Sequence, residues 1–159
     1  MGRRWREFDP SLKNSPSVLV AICENSRPFA LNPPPMSFDD SSYAIIGCAM
    51  RVHNALGPGL REKPYENALA IELRNSGFHA EQQRAYPILY LDQVVGDCIP
   101  DITVSREVLI DAKSIDAIGE NEVAQMLNYL RISRLELGLV INFKNPKLEW
   151  QRVVRSHRE

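Results

Sequence analysis

Asp101, Asp111 and Lys113 are the residues whose types and spacing could do chemistry. If residues 94–113 form a hairpin with Ser105-Arg106-Glu107 as a three-residue loop, Val104 lies opposite Val108. Counting outward along both strands then puts Asp101 opposite Asp111. Side chains alternate along a strand. Ile102, Val104, Val108, Ile110 and Ala112 therefore share an apolar face, and Asp101, Asp111 and Lys113 share the other. A two-residue loop would set Asp101 opposite Ala112 and mix the two faces, so the hydrophobic pattern selects the register without reference to any function. Two carboxylates facing each other across strands repel. A bound divalent cation would offset that repulsion, and so would Lys113 alone. Carboxylate oxygens suit Mg²⁺ (or Mn²⁺), which keeps several waters and leaves room for a phosphate. The Ala112 carbonyl would add a further hard oxygen, and Lys113 would orient or deprotonate a water and stabilise charge developing at phosphorus. The plainer alternative is an ordinary Asp–Lys pair on a solvated sheet face.

The elements that must position these residues follow from periodicity. Ile45, Ala49, Val52 and Leu56 recur at helical spacing from Ser41 onward. Asp39, Asp40, Ser41 and Ser42 offer N-caps, and Gly57-Pro58-Gly59 is a stop. A second helix is expected over residues 64–75, with Tyr65, Ala68, Leu69 and Leu73 on one face and Gly77 after its end. The period then becomes that of strands, over residues 85–91, 94–104 and 108–113. Residues 122–132 are helical again, with Val123, Met126, Leu127 and Leu130 facing inward. The nearly unbroken apolar run 137–143 reads as a buried central strand, and a last strand covers residues 148–154. Two helices, three strands, a helix and two strands make an α/β domain with a mixed β-sheet flanked by helices.

Pro100-Asp101 followed by Asp111-Ala112-Lys113 resembles the PD-(D/E)xK signature of the restriction-endonuclease-like nuclease superfamily. Upstream, Gly59-Leu60-Arg61-Glu62-Lys63-Pro64-Tyr65 matches G-x-x-E-x-x-Y, the motif that names the GxxExxY group of small bacterial proteins within it. The flanking runs 52–60 and 137–143 agree with that group, and the resemblance covers residues 41–155. It implies that Asp101 and Asp111 bind the metal, with Glu62 as a third acid from the helical region, and that Lys113 is the catalytic lysine. Gln125 and Tyr129, four apart on one helical face, resemble the Q-x-x-x-Y element of RecB-like nucleases, which helps hold the active site or the DNA. Asp111 stands where Glu is commoner in the group. Pro64 falls in the first turn after Glu62, which sets Glu62 at a helix start. Glu62 also reads as a helix N-terminal acid favoured by the dipole, Gln125 as an exposed helix residue, and Tyr65 and Tyr129 as packing residues.

The remaining features bound the function. The first 38 residues, with Pro10, Pro16, Pro28 and Pro33-Pro34-Pro35, read as a flexible leader to a nuclease-like domain over residues 39–156. Met36 lies beside that boundary, which leaves open an upstream extension of the reading frame. No apolar run is long enough to cross a membrane, and no signal-peptide pattern precedes the domain, so the cytoplasm is the expected compartment. Cys23, Cys48 and Cys98 form no metal or disulfide pattern. Neither a P-loop nor a G-x-S-x-G elbow occurs. The formal net charge of −1 gives no global basic field, although arginines crowd both ends of the chain. The expected activity is metal-dependent hydrolysis of phosphodiester bonds in DNA, with an RNA-directed nuclease and a non-catalytic nucleic-acid- or partner-binding module on the same fold as alternatives. The expected partner is a nucleic acid, with a second copy of the chain or a partner protein as a further candidate.

Overall fold

The computed structural model describes residues 38–155, with side chains described from Ser41. The leader expected over residues 1–38, Cys23, His157 and Arg158 lie outside the described residues, except Phe38, which opens the first helix. In chain order the elements are α1 (Phe38–Leu56), α2 (Glu62–Asn75), β1 (Ala80–Gln82), β2 (Tyr86–Tyr90), β3 (Gln93–Cys98), β4 (Ile102–Val104), β5 (Val108–Lys113), α3 (Glu120–Ser133), β6 (Leu137–Asn142) and β7 (Glu149–Val154). None of the described helices is long and apolar enough to cross a membrane.

The polar run expected to cap α1 lies inside it. Ser41 and Ser42 are buried, so tertiary packing carries the helix through residues of weak propensity. Ile45, Cys48, Ala49 and Val52 form the buried stripe, which fades at the exposed Leu56. The helix stops where Gly57 takes φ +70°, a left-handed residue open to glycine, and donates its N–H to the His53 carbonyl at 2.9 Å. Helix α2 starts at Glu62, two residues before the expected Pro64. Proline is tolerated there because the first turn has no helical bond to lose.

The five-stranded sheet has the order β1-β4-β5-β6-β7, with β5 and β6 parallel and the other pairs antiparallel. This is the mixed α/β arrangement expected. The register of β4 on β5 pairs Val104 with Val108, Thr103 with Leu109 and Ile102 with Ile110, as the three-residue loop requires. Ser105 and Arg106 are both left-handed, and Glu107 donates its N–H to the Val104 carbonyl at 2.9 Å. The loop is thus a tight hairpin turn plus one extra residue.

One expectation fails here. Residues 94–104 are not a single strand: β3 folds back on β2 as a separate two-stranded ribbon, while β4 joins the main sheet. The break spans residues 99–101, where Pro100 has no N–H to give a ladder. Strand β1, Ala-Glu-Gln, carries no β-branched signal and is defined only by its pairing with β4.

Helices α1 and α2 bury the face of the sheet bearing Ile102, Val104, Val108, Ile110 and Ala112. Helix α3 covers the other face, setting Met126 and Leu130 against Leu109, Val140 and Val153. Leu127, expected inward, is exposed, because the buried stripe runs through Met126 and Leu130 and leaves it to one side. Gly138 is where α3 comes closest to the sheet: a Cβ there would meet the Sδ and Cγ of buried Met126, the latter at 2.6 Å. Gly138→Ala is therefore expected to destabilise the fold by about 1–3 kcal/mol through overpacking. A urea titration reads this, and an unchanged midpoint would mean that Met126 moves aside freely.

Candidate active site

Asp101 is the last residue of the β3–β4 break, one residue before the ladder, and its carbonyl accepts the Gln83 N–H at 2.9 Å. Its Oδ2 accepts the Ala112 N–H at 2.8 Å, so the side chain caps the β5 edge where a longer β4 would have paired. Asp111 sits in β5 between β4 and β6 and is 4% exposed. Lys113 Nζ lies 2.9 Å from Asp111 Oδ2 and donates to Gln125 Oε1 at 3.1 Å. Gln125 Nε2 in turn donates to the Tyr129 hydroxyl at 2.8 Å. The structure thus brings Asp101, Asp111, Lys113, Gln125 and Tyr129 together. Asp111 Oδ2 nevertheless accepts no hydrogen bond of sound direction, although it is buried. The lysine is near enough for an ion pair but misaligned for a hydrogen bond.

Burial raises the Asp101 pKa to about 7; the Ala112 N–H opposes that rise, and the neighbouring Asp111 and Glu66 carboxylates add to it. Burial pulls on Lys113 in the opposite direction. The Asp111 carboxylate, helped by Glu62 and Asp101, outweighs it, and the ammonium titrates above its ordinary range. Lys113 is therefore a fixed cation at neutral pH and has no lone pair to accept a proton.

A testable pH dependence follows from Asp101. From an ordinary carboxylate pKa of about 4 up to about 7, the folded protein keeps a proton that the unfolded chain has released. The native state binds more protons over that window, so this group's contribution to stability falls as pH rises through it. In EDTA, the wild-type melting temperature is expected to drop from pH 5 to pH 7.5 relative to Asp101→Asn. Parallel profiles for the two proteins would show that Asp101 titrates normally.

Glu62 stands apart from the two aspartates. It begins α2, and its Oε1 accepts the Ser114 N–H at 3.2 Å. Ser114 Oγ also donates to the Leu60 carbonyl at 2.8 Å, so this contact ties the start of α2 to the end of β5. Among the described residues, no three or more His, Cys, Asp or Glu side chains gather closely enough to hold a metal. The acid trio implied by the resemblance is thus a pair plus a neighbour.

The pair itself fits a hard cation. It offers an orphaned buried carboxylate oxygen and a second acid that burial drives toward protonation. A strand residue directs its own N–H and C=O to the same side. The Ala112 carbonyl therefore leaves β5 on the side where its N–H meets Asp101.

Tyr65 is fully buried, stacked on Phe143 with centroids 4.6 Å apart. Its hydroxyl donates to the Gly57 carbonyl at 2.6 Å and accepts the Leu60 N–H at 3.2 Å. It supports the loop before Glu62, and its side chain is closed off from solvent. His53 Nε2 lies 2.8 Å from the Asn145 carbonyl, a structural contact.

Glu66 is the residue that the motifs passed over. It is 3% exposed, held by Lys63 Nζ at 2.8 Å and Gln82 Nε2 at 3.1 Å, and its charge acts on Asp101. Its position four residues after Glu62, on the same helical face, was the available signal.

The family model of the PD-(D/E)XK nuclease superfamily matches residues 39–153. No curated protein and no solved structure gives a significant match.

Proposed function

The chain belongs to the PD-(D/E)XK nuclease superfamily, and on that premise we propose that it is a metal-dependent nuclease hydrolysing phosphodiester bonds in DNA. The observation that carries this reading is the neighbouring Asp101 and Asp111 carboxylates, with a buried oxygen on Asp111 that accepts no aligned hydrogen bond and the Lys113 ammonium beside it. Asp101, Asp111 and the Ala112 carbonyl are the groups that would hold Mg²⁺ or Mn²⁺. Such an ion supplies positive charge to phosphoryl oxygens and makes water more acidic. The Ala112 N–H orients Asp101. Lys113, charged at neutral pH, stabilises the negative charge that grows on phosphorus oxygens during attack. Gln125 fixes the ammonium, and Tyr129 fixes Gln125. Glu62, bonded to Ser114, steadies the end of β5 that carries Lys113. The run Gly59 to Tyr65 supports placing the chain in the GxxExxY group.

The test is cleavage of single-stranded, linear duplex and circular duplex DNA, and of RNA, by the full chain in Mg²⁺, Mn²⁺ and EDTA. DNA cleavage that needs the metal is the expected result. Cleavage confined to RNA would move the substrate. Nucleic-acid association without cleavage in any metal would favour a binding module on this fold.

A further inference from the structure

An open groove of about 450 Å³ runs between α3 and the β2–β3 ribbon. Asn121, Gln125, Asn128 and Ile132 line one wall of it at spacings of three and four, the period of a single helical face. Ile88 and Ile99 give the opposite side apolar surface, and Tyr129 contributes an aromatic ring to the lining. Gln125 belongs to both places. Its amide is spent on Lys113 and Tyr129, so the groove opens directly beside the cation of the candidate active site. Asn121 and Asn128 are exposed, and neither side-chain amide hydrogen-bonds to another described residue. Each presents a donor and an acceptor to whatever enters.

We infer that this groove is a subsite for one unpaired nucleobase next to the scissile phosphate, with the Asn121 and Asn128 amides reading the edge of the base. The inference rests on the nuclease reading above and deepens it by naming a single-stranded substrate. Charge decides which part of a nucleotide belongs here. The lining contains one charged side chain, Asp97, and no lysine or arginine. A phosphate would meet no cation and one carboxylate, whereas nucleic-acid phosphates are held by basic side chains and N–H groups. A base is neutral and flat, with apolar faces and hydrogen-bonding edges. Asparagine amides pair with such edges bidentately, and Asp97 can accept from an exocyclic amine. A base within a duplex is stacked and paired; entering a groove beside its own backbone requires it to be unpaired or flipped out.

The test is fluorescence anisotropy with the full chain in EDTA, which separates binding from cleavage. The probes are a labelled single strand, the same strand with its bases replaced by abasic sites, and the corresponding duplex. Wild type is compared with Asn121→Ala/Asn128→Ala, which changes two exposed helix positions. The intact single strand is expected to bind about tenfold more tightly than the abasic strand and the duplex. The double variant is expected to lose that preference with its melting temperature unchanged. Equal binding of intact and abasic strands, or a preference that survives in the double variant, overturns the subsite and leaves the nuclease reading standing. No binding of any nucleic acid by wild type, together with no cleavage in Mg²⁺ or Mn²⁺, overturns both. A base-dependent preference that the double variant loses supports the subsite, and if no metal elicits cleavage only the catalytic reading falls.

Discussion

Lys113→Ala is expected to lower metal-dependent phosphodiester cleavage by about 10²- to 10³-fold, the scale of losing one preorganised donor to a developing oxyanion. The geometry predicts more than lost activity. Lys113 Nζ lies 2.9 Å from the orphaned Asp111 Oδ2 and competes there with any cation the two aspartates hold. Removing the ammonium frees that oxygen, so Mg²⁺ or Mn²⁺ should bind Lys113→Ala at least as tightly as wild type. Asp111→Asn removes the carboxylate itself and should abolish both cleavage and the rise in melting temperature on adding metal. Calorimetric titration with Mn²⁺ beside the cleavage assay separates the two variants. Loss of metal binding in Lys113→Ala would mean that the lysine holds the site together and is no competitor. A Lys113→Ala protein that cleaves like wild type would remove the lysine from the mechanism.

Phe143→Ala is expected to cost about 3–5 kcal/mol of folding stability, the range for truncating a buried aromatic residue. Phe143 is fully buried, just past the end of β6, and it donates its N–H to the Lys113 carbonyl at 2.9 Å. Its ring stacks on Tyr65 at an interplanar angle of 10° and lies 6.3 Å from that of His53. One side chain therefore joins α1, α2 and the strand end that carries the site. Its loss leaves a cavity under the Tyr65 ring, whose hydroxyl anchors the loop from Gly57 to Leu60. Urea unfolding at constant m-value reads the cost. A change below about 1 kcal/mol would mean that the helices collapse onto the gap.

Local pattern carried a large part of the site. The alternation of Ile102, Val104, Val108, Ile110 and Ala112 with Asp101, Asp111 and Lys113 permitted one hairpin register, and that register is the one observed. A slip of one residue would turn apolar side chains out of a face that two helices bury. Period is a property of neighbouring residues, so it is readable without a fold. The same holds for the three helices, whose apolar stripes recur every three or four residues, although their ends shifted by up to a few residues once packing set the boundaries.

Partnership between distant segments was not legible in that way. Residues 94–104 look like one strand because both halves have strand-forming composition. Only the available partners, β2 for one half and β1 with β5 for the other, split it at Pro100. The Gln125 amide reaches Lys113 because α3 crosses the face of β5 that bears the odd-numbered residues. Glu66 is buried beside Asp101 because α2 packs against the sheet there. The residues able to do chemistry, their face of the sheet and their register were written locally, in side-chain alternation. Which helix meets that face, which oxygen is left without an aligned hydrogen-bond donor and where a groove opens beside the lysine depend on long-range packing, and only the tertiary structure decided them.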